Sequence, residues 1–281
     1  MSFALNEDCQ KKGIRSIRAL IEHASSESAN VSEPIFVIIN SRTPLTRKKE
    51  YIPRIIKLSH KLDKLSNKSV LLVTKDPSTP YRHALTEKGS PTEDTFDQIY
   101  TLTKLKNLSK DPKKLTKCFK EFDLVVADNR VHKFLPDILG GQFYIKNKKL
   151  PFMVQMAKPD PNAKLTRASN NKLKDDRCEP KYIQQQMKVI AENTFFHLTS
   201  KGTCMSIKVG YTSWKPQQVM ENINDVLLYL TDTKYAPVGG QLKENNIHSV
   251  NVKTSESISL PVMEVVDLGL KEEEYDSDFD F

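Results

Sequence analysis

Residues 205–230, MSIKVGYTSWKPQQVMENINDVLLYL, decide the fold class of this chain. The first part, 205–214, alternates apolar and polar side chains, which is the pattern of a half-buried strand. The second part starts at Lys215-Pro216 and has helical periodicity, and a proline is tolerated in the first turn of a helix. The apolar stripe of this helix consists of Val219, Ile223, Val226, Leu227 and Leu230. The segment therefore predicts a strand that leads directly into a helix.

The same alternation of strands and helices extends through the chain. Helical periodicity covers residues 11–24 and 111–122, and Asp111 and Pro112 suit the N-cap and the first position of the second helix. Further helical patterns cover residues 130–143, broken near Pro136, and 180–198, which ends in strand-like aromatics. Apolar runs predict strands at 35–40, 69–76, 123–130 and 150–156, and one or two strands at 247–265. Residues 77–91 and 158–180 indicate loops, and the mixed pattern of 52–62 leaves its structure open. This order indicates an α/β protein of one large or two small domains.

Charge is unevenly distributed along the chain. The last fifteen residues, DLGLKEEEYDSDFDF (267–281), carry seven acids and one lysine. Because the whole chain has a net charge of +8, the preceding 266 residues carry +14. A body this basic favours a polyanionic partner, of which nucleic acid is the commonest, although an ordinary solvated surface is the alternative. The acidic tail, residues 266–281, has too few core residues to fold alone and is expected to be disordered.

Composition excludes several classes of protein. No apolar run approaches the roughly 18 residues of a membrane span, and the N-terminus lacks the apolar core of a signal peptide. The four cysteines are scattered and form no C-x-x-C, so we expect neither a disulfide framework nor a zinc ribbon. Cys118 falls on the apolar stripe of its helix and is expected in the core. A reducing compartment, cytosolic or nuclear, follows.

Motifs for catalysis are also missing from the sequence. There is no P-loop and no G-x-G-x-x-G, and the six histidines have no metal-ligand spacing, so no cofactor and no metal are expected. Asp128 closes a predicted strand, where α/β enzymes often place a catalytic acid. An enzyme that uses Asp128 remains the weakest alternative, because no second carboxylate or histidine matches it.

Clusters of Lys and Arg are the remaining indication of function in the sequence. Arg42 and Arg47-Lys48-Lys49 follow the first predicted strand, and Lys146, Lys148 and Lys149 precede the strand at 150–156. Loops beside a sheet can bring such side chains to the phosphates of a folded RNA. A further set of lysines between 104 and 120 is explained equally well as the solvated face of a helix.

Several segments resemble the ribosomal protein L1 family. IKVGYTSWKPQQVMENI is similar to that family's strand, glycine and helix, with Gly210 and the Glu221-Asn222 pair in matching places and Trp214 where the family usually has Phe. EFDLVVADNRVHKFLPDILGGQF resembles the strand and helix of its second domain, and EPIFVIIN resembles its first strand. The resemblance extends over about residues 10–265.

The resemblance implies a two-domain α/β fold in which a split α/β sandwich is built from both chain ends. A Rossmann-like domain is inserted between its halves, and two stretches of chain cross between the domains. In this sequence, the expected boundaries are 1–66 and 150–265 for the sandwich, 67–149 for the insertion and 266–281 for the acidic tail. The family binds structured RNA mainly through the sandwich.

One segment departs from the family pattern. The Thr-Met-Gly loop that contacts RNA in the family falls at Lys253-Thr254-Ser255, where hydroxyls are kept, followed by Glu256 and Ser257 in place of Met and Gly. A carboxylate beside phosphate costs affinity, and losing glycine removes an easy close approach of the backbone. The chain therefore resembles the nucleolar ribosome-biogenesis paralogues, nearest to those of the small-subunit processome, more than the ribosomal subunit itself.

The resemblance and the charge together predict a non-enzymatic RNA-binding factor of the nucleolar pre-ribosome (the 90S particle or small-subunit processome). We expect it to hold structured pre-ribosomal RNA among assembly proteins, as a monomer within a large ribonucleoprotein, with no membrane and no small-molecule substrate. The alternatives are a large-subunit stalk protein of mature ribosomes and a protein-only adaptor. The predicted RNA-binding residues are Arg42, Arg47, Lys48, Lys49, Lys146, Lys148, Lys149, Lys253, Thr254 and Ser255.

Overall fold

A computed structural model describes residues 6–27, 32–46, 50–146, 149–163, 166–167, 173–198 and 202–264. Within these residues the helices are α1 (Glu7–Glu27), α2 (Thr79–Thr86), α3 (Leu102–Ser109), α4 (Pro112–Glu121), α5 (Asn129–His132), α6 (Leu135–Gly141), α7 (Pro180–Glu192) and α8 (Pro216–Thr231). The strands are β1 (Pro34–Ser41), β2 (Arg54–Ile56), β3 (Val70–Thr74), β4 (Gln98–Thr101), β5 (Leu124–Asp128), β6 (Phe152–Val154), β7 (Thr166–Arg167), β8 (Leu173–Lys174), β9 (Thr194–Phe196), β10 (Cys204–Tyr211), β11 (Ile247–Lys253) and β12 (Leu260–Glu264). The acidic tail predicted at 266–281 lies outside the described residues.

The two ends of the chain together build an antiparallel sheet in the order β10-β1-β11-β12. Helices α1 and α8 pack against one face of this sheet and against each other. Buried and half-exposed residues alternate along β1. Its Ile35, Val37 and Ile39 point toward the two helices and are fully buried. Gly13 of α1 allows a close approach to α8, because a Cβ there would lie 2.8 Å from the sulfur of Met220 and the Met220 side chain would have to shift. This unit is the sandwich lobe.

The middle of the chain forms a parallel sheet in the order β4-β3-β5-β6. Every residue of β3 is buried, because helices cover both faces of this sheet. One face packs against α2 and α7, and the other packs against α3, α4 and α6. Asp111 caps α4 as predicted, accepting hydrogen bonds from the backbone N–H groups of Lys113 and Lys114, and Cys118 is in the core. This three-layer unit is the inserted lobe, and it confirms the predicted Rossmann-like insertion.

The inserted lobe extends further along the chain than the sequence predicts. Strand β6 pairs with β5 as the fourth strand of the parallel sheet, and Ile183 and Met187 of α7 are fully buried against the same sheet. The predicted boundary at 149/150 therefore falls before β6, β7, β8 and α7, and the inserted lobe continues to about the end of α7. Residues 77–91, predicted as a loop, contain α2, whose Pro80 lies in the first helical turn where proline is tolerated.

Two crossing segments connect the lobes and pair with each other. Strands β2 and β9 form a short antiparallel ribbon, with Arg54 opposite Phe196 and Ile56 opposite Thr194. Beyond the ribbon, the backbone N–H of Leu58 donates to Asn193 Oδ1 at 2.9 Å. The fully buried Asn222 of α8 accepts from the N–H of His60 at 2.9 Å and donates to the carbonyls of His60 and Val209. The first crossing is therefore fixed to the second by Asn193 and to the sandwich by Asn222.

Candidate nucleic-acid interface

The face of the antiparallel sheet that lies opposite α1 and α8 is half-exposed. The strand register arranges its side chains in rows across β10, β1 and β11, because residues two apart on a strand share a face. These rows are Lys208, Phe36 and Lys253; then Ser206, Ile38 and Asn251; then Cys204, Asn40 and Ser249. We call this surface the open face. It combines an aromatic ring between two lysines with amides and hydroxyls, a set of groups that can contact phosphate, sugar and base.

A tight turn of residues 254–257 closes one end of the open face. The N–H of Thr254 donates to Ser257 Oγ at 2.9 Å, and the N–H of Ser257 donates to Thr254 Oγ1 at 3.3 Å. Thr254 is only 3% exposed, whereas Ser255 and Glu256 are exposed. Thr254 and Ser257 therefore hold the turn together, and Ser255 is the predicted contact residue whose hydroxyl reaches the surface.

Arg42 lies at the opposite end of the open face. It is exposed directly after β1, and its backbone N–H donates to the carbonyl of Asn246 at 2.8 Å. Because Phe36 is opposite Lys253 and Ser41 is opposite Ile247, the length of β1 separates Arg42 from the 254–257 turn. Six residues of strand correspond to about 20 Å. The predicted sandwich residues thus lie at the two ends of one face and do not form a single cluster.

The predicted cations of the inserted lobe are placed differently. The ammonium of Lys149 donates to the carbonyls of Phe119 at 2.6 Å and Phe122 at 2.8 Å, and it lies 4.1 Å from the centroid of the Phe119 ring. Lys149 therefore caps the end of α4, where a cation is favoured by the helix dipole. Burial lowers the pKa of Lys149, opposed by Asp123. These contacts give Lys149 a structural role away from the open face.

The remaining predicted cations cannot be assigned to a contact. Arg47, Lys48, Lys49 and Lys148 lie outside the described residues. Lys146 ends a wider helical turn, Gln142–Lys146, of which only the backbone is described at that position.

Phe36 and Lys208 are interface residues that the sequence did not single out. The run IFVIIN is apolar throughout, so its composition does not show which residues face the helices and which face outward. The signal that could have found them is the register, since Phe36 has the parity opposite to the buried Ile35 and Val37. Lys208 in turn lies beside Phe36 on β10, and its ammonium donates to the hydroxyl of Tyr211 at 2.7 Å.

Asp128, the residue on which a catalytic alternative depended, is fully buried and already paired. Its Oδ1 accepts from the backbone N–H of Arg130, and both oxygens accept from Nε of Arg130 at 3.0 and 2.9 Å. Burial alone would lower the pKa of Arg130, but the hydrogen bonds and charge of Asp128 outweigh it and raise that pKa. The carboxylate therefore neutralises an arginine and caps α5, which leaves it poorly placed to act as a base. Within the described ranges, no three His, Cys, Asp or Glu side chains converge on a possible metal position.

Comparison with known proteins identifies the class to which this architecture belongs. Residues 20–258 match the ribosomal protein L1p/L10e family, and the chain belongs to that family. It is 38% identical over 262 residues to the ribosome biogenesis protein UTP30 of Saccharomyces cerevisiae, covering 92% of each chain. It is 25% identical over 249 residues to a protein of Schizosaccharomyces pombe whose name assigns it provisionally to ribosome biogenesis, covering 88% of this chain and 77% of that one. It is also 25% identical over 168 residues to the mouse ribosomal L1 domain-containing protein 1, covering 60% and 31% of the two chains.

The family match and these relatives confirm the predicted family and its biogenesis branch. Among the residues that the structure describes, none of the helices has the length and apolarity needed to cross a membrane.

Proposed function

We propose that this protein is a non-catalytic RNA-binding factor of ribosome assembly that holds structured pre-ribosomal RNA on its open face. The observation that carries the proposal is the row Lys208, Phe36 and Lys253, which is half-exposed on a sheet whose other face is sealed by two helices. The basic body, +14 over residues 1–266, supplies the long-range attraction for such a partner.

The geometry suits a folded RNA better than an extended single strand. The face extends for about 20 Å between the 254–257 turn and Arg42, so it can contact phosphates at two separated points of a helical backbone. Lys253 and Ser255 serve one end, and Arg42 serves the other. Glu256, exposed on the turn, repels nearby phosphate and leaves the contact at that end to its neighbours.

The test is a filter-binding titration with in vitro transcribed segments of the small-subunit ribosomal precursor at several salt concentrations. We expect affinity to fall steeply with salt, and we expect charge reversal of Arg47, Lys48 and Lys49 to weaken binding by at least tenfold. The matched control reverses Lys106, Lys113 and Lys117, which are exposed in the inserted lobe, and should have a much smaller effect. Unchanged affinity in the first variant would overturn the assignment of these three residues to RNA binding.

We further propose that the protein acts in the nucleolus, within the 90S particle or small-subunit processome and among its assembly proteins. Support comes from the relative in Saccharomyces cerevisiae, whose name gives ribosome biogenesis as its role. Sedimentation should place the protein with precursor particles. Co-sedimentation with translating ribosomes would favour a stalk protein, and complexes that survive nuclease treatment would favour a protein-only adaptor. Crosslinking of protein to RNA in cells, followed by sequencing, then locates the bound helix.

A further inference from the structure

A cleft of about 500 Å³ separates the two lobes beside the open face. The sandwich lobe contributes Phe36, Ser206, Lys208 and Tyr211 to its wall, and the inserted lobe contributes Leu124 and Phe152. Phe195 of the β2–β9 ribbon lies on the floor and is 38% exposed, although its ring packs against that of Phe152 at 5.0 Å. The volume is in the range of pockets that hold small organic ligands. The cleft therefore offers exposed aromatic surface in a recess of ligand size.

Two lysines line this cleft, Lys208 on β10 and Lys68 just before β3. Lys208 reaches over the Tyr211 ring, with its ammonium 4.1 Å from the centroid, on the sandwich side. Lys68 pairs with Asp63 at 2.7 Å. Burial opposes the charge of Lys68, but the hydrogen bond and charge of Asp63 outweigh it and raise its pKa, with a smaller contribution from Tyr211. Asp63 is the one acidic residue among the described residues lining the cleft, and its charge is matched by Lys68.

The cleft and the open face share Phe36, Cys204, Ser206 and Lys208. An RNA helix lying along the face would thus have its backbone at the mouth of the cleft. The recess is far too small for a duplex, whereas a single nucleotide that leaves the stack could enter it. Aromatic side chains bind such bases by stacking, and this contact tolerates any base.

We propose that the cleft between the lobes binds one unpaired nucleotide of the RNA held on the open face. The base lies against Phe195 and Phe36, and its phosphate lies near Lys208 at the lip. This inference rests on the proposed function, and it adds that a bulged helix is the preferred RNA.

The experiment compares three RNA hairpins that differ at one position: fully paired, with a single bulged uridine, and with an abasic residue in place of that uridine. We expect the wild-type protein to bind the bulged hairpin about tenfold more tightly than the other two, as expected for stacking of one base. The abasic hairpin keeps the flexibility and the extra phosphate, so it isolates the contribution of the base. Trp214, the only tryptophan, packs against Tyr211 with ring centroids 5.8 Å apart, so its fluorescence should change with the bulged hairpin alone.

The variant Phe195→Ala should abolish the preference for the bulge. Met153→Ala, which removes an apolar side chain that is 42% exposed and does not line the cleft, is the matched control and should keep the preference. Salt-dependent binding of all three hairpins with equal affinity would overturn the cleft proposal and leave the proposed function standing, whereas absence of salt-dependent binding would overturn both. A bulge preference that survives Phe195→Ala would place the base elsewhere. Quenching of Trp214 by a peptide of residues 267–281, without any hairpin preference, would assign the cleft to an acidic peptide instead.

Discussion

Both lobes consist of a sheet packed against helices, but they differ in how much of the sheet remains exposed. In the inserted lobe the sheet is parallel and helices cover both faces, so all five residues of β3 are buried. In the sandwich lobe the helices cover one face, and β1 alternates buried and half-exposed residues along its whole length. A parallel sheet requires crossover helices on its faces, whereas an antiparallel sheet does not. The lesson is that the surface available for a large ligand arises from topology, and the charged residues then select the ligand.

The largest expected effect concerns the buried ion pair of the inserted lobe. Arg130→Ala leaves the Asp128 carboxylate, which has no exposure, without its cation, and we expect a loss of about 3–5 kcal/mol in the free energy of unfolding. Urea denaturation measures it. The control is Arg177→Ala, since Arg177 pairs with Asp175 at the surface and should matter much less. If folded Arg130→Ala protein lost RNA binding, the inserted lobe would be more than a support and the contrast between the lobes would fail.

The second prediction tests the attachment of the first crossing to the sandwich. Asn222→Ala removes three hydrogen bonds made by a fully buried amide to the part-buried backbone of His60 and the buried carbonyl of Val209, so we expect a loss of about 2 kcal/mol. Hydrogen exchange of the His60 N–H should become faster. Gln217→Ala, an exposed substitution on α8, is the control. Unchanged exchange at His60 would show that the crossing is held by other contacts.

The third prediction sharpens the difference between the two lobes in RNA binding. Lys253→Gln removes one cation of the open face, and we expect affinity to fall by about three- to tenfold and the salt dependence to decrease by about one phosphate contact. Lys117→Gln, which removes an exposed cation of the inserted lobe, should leave both nearly unchanged. Equal losses in the two variants would mean that binding follows total charge and not the open face.

The smallest effect is expected at the turn that ends the open face. Ser257→Ala removes the hydroxyl that accepts from the Thr254 N–H, and we expect a loss of about 1 kcal/mol in the free energy of unfolding. Ser255→Ala, two positions earlier in the turn and exposed, should leave stability unchanged while weakening RNA binding slightly. Thermal unfolding and filter binding of the two variants separate the roles. A reversed outcome would make Ser255 the structural residue of the pair.

The elements with strong local signals were predictable from the sequence. The runs at 35–40, 69–76 and 123–130 became β1, β3 and β5, and the helix after Lys215 became α8. Strand β4 was missed because it has only four residues, of which only Ile99 is buried. The predicted end of the inserted lobe was too early because the apolar run 150–156 suits a strand of either sheet. Only its long-range pairing with β5 assigns it to the parallel sheet.

The site was predictable only in part for a related reason. The resemblance located the 253–257 segment, and the structure adds that Thr254 points inward and that Lys149 caps a helix. Both roles depend on contacts across the fold, which neither spacing nor charge reveals. Phe36 and Lys208 were missed because they become neighbours only when β1 pairs with β10, and these two strands are far apart in the sequence.

The hydrogen bond between Leu58 and Asn193 brings the start and the end of the inserted lobe side by side. The lobe is therefore one continuous stretch of chain with adjoining ends, whereas β1 pairs with β10 and β11, which follow that whole stretch. While the chain is being translated, the inserted lobe can complete its folding before β10 and β11, the two strands that pair with β1, have been synthesised. Domains generally fold in the order in which they are synthesised. The protein that we propose to assist assembly of a large particle thus has a staged assembly of its own, in which the sheet for its RNA partner closes last.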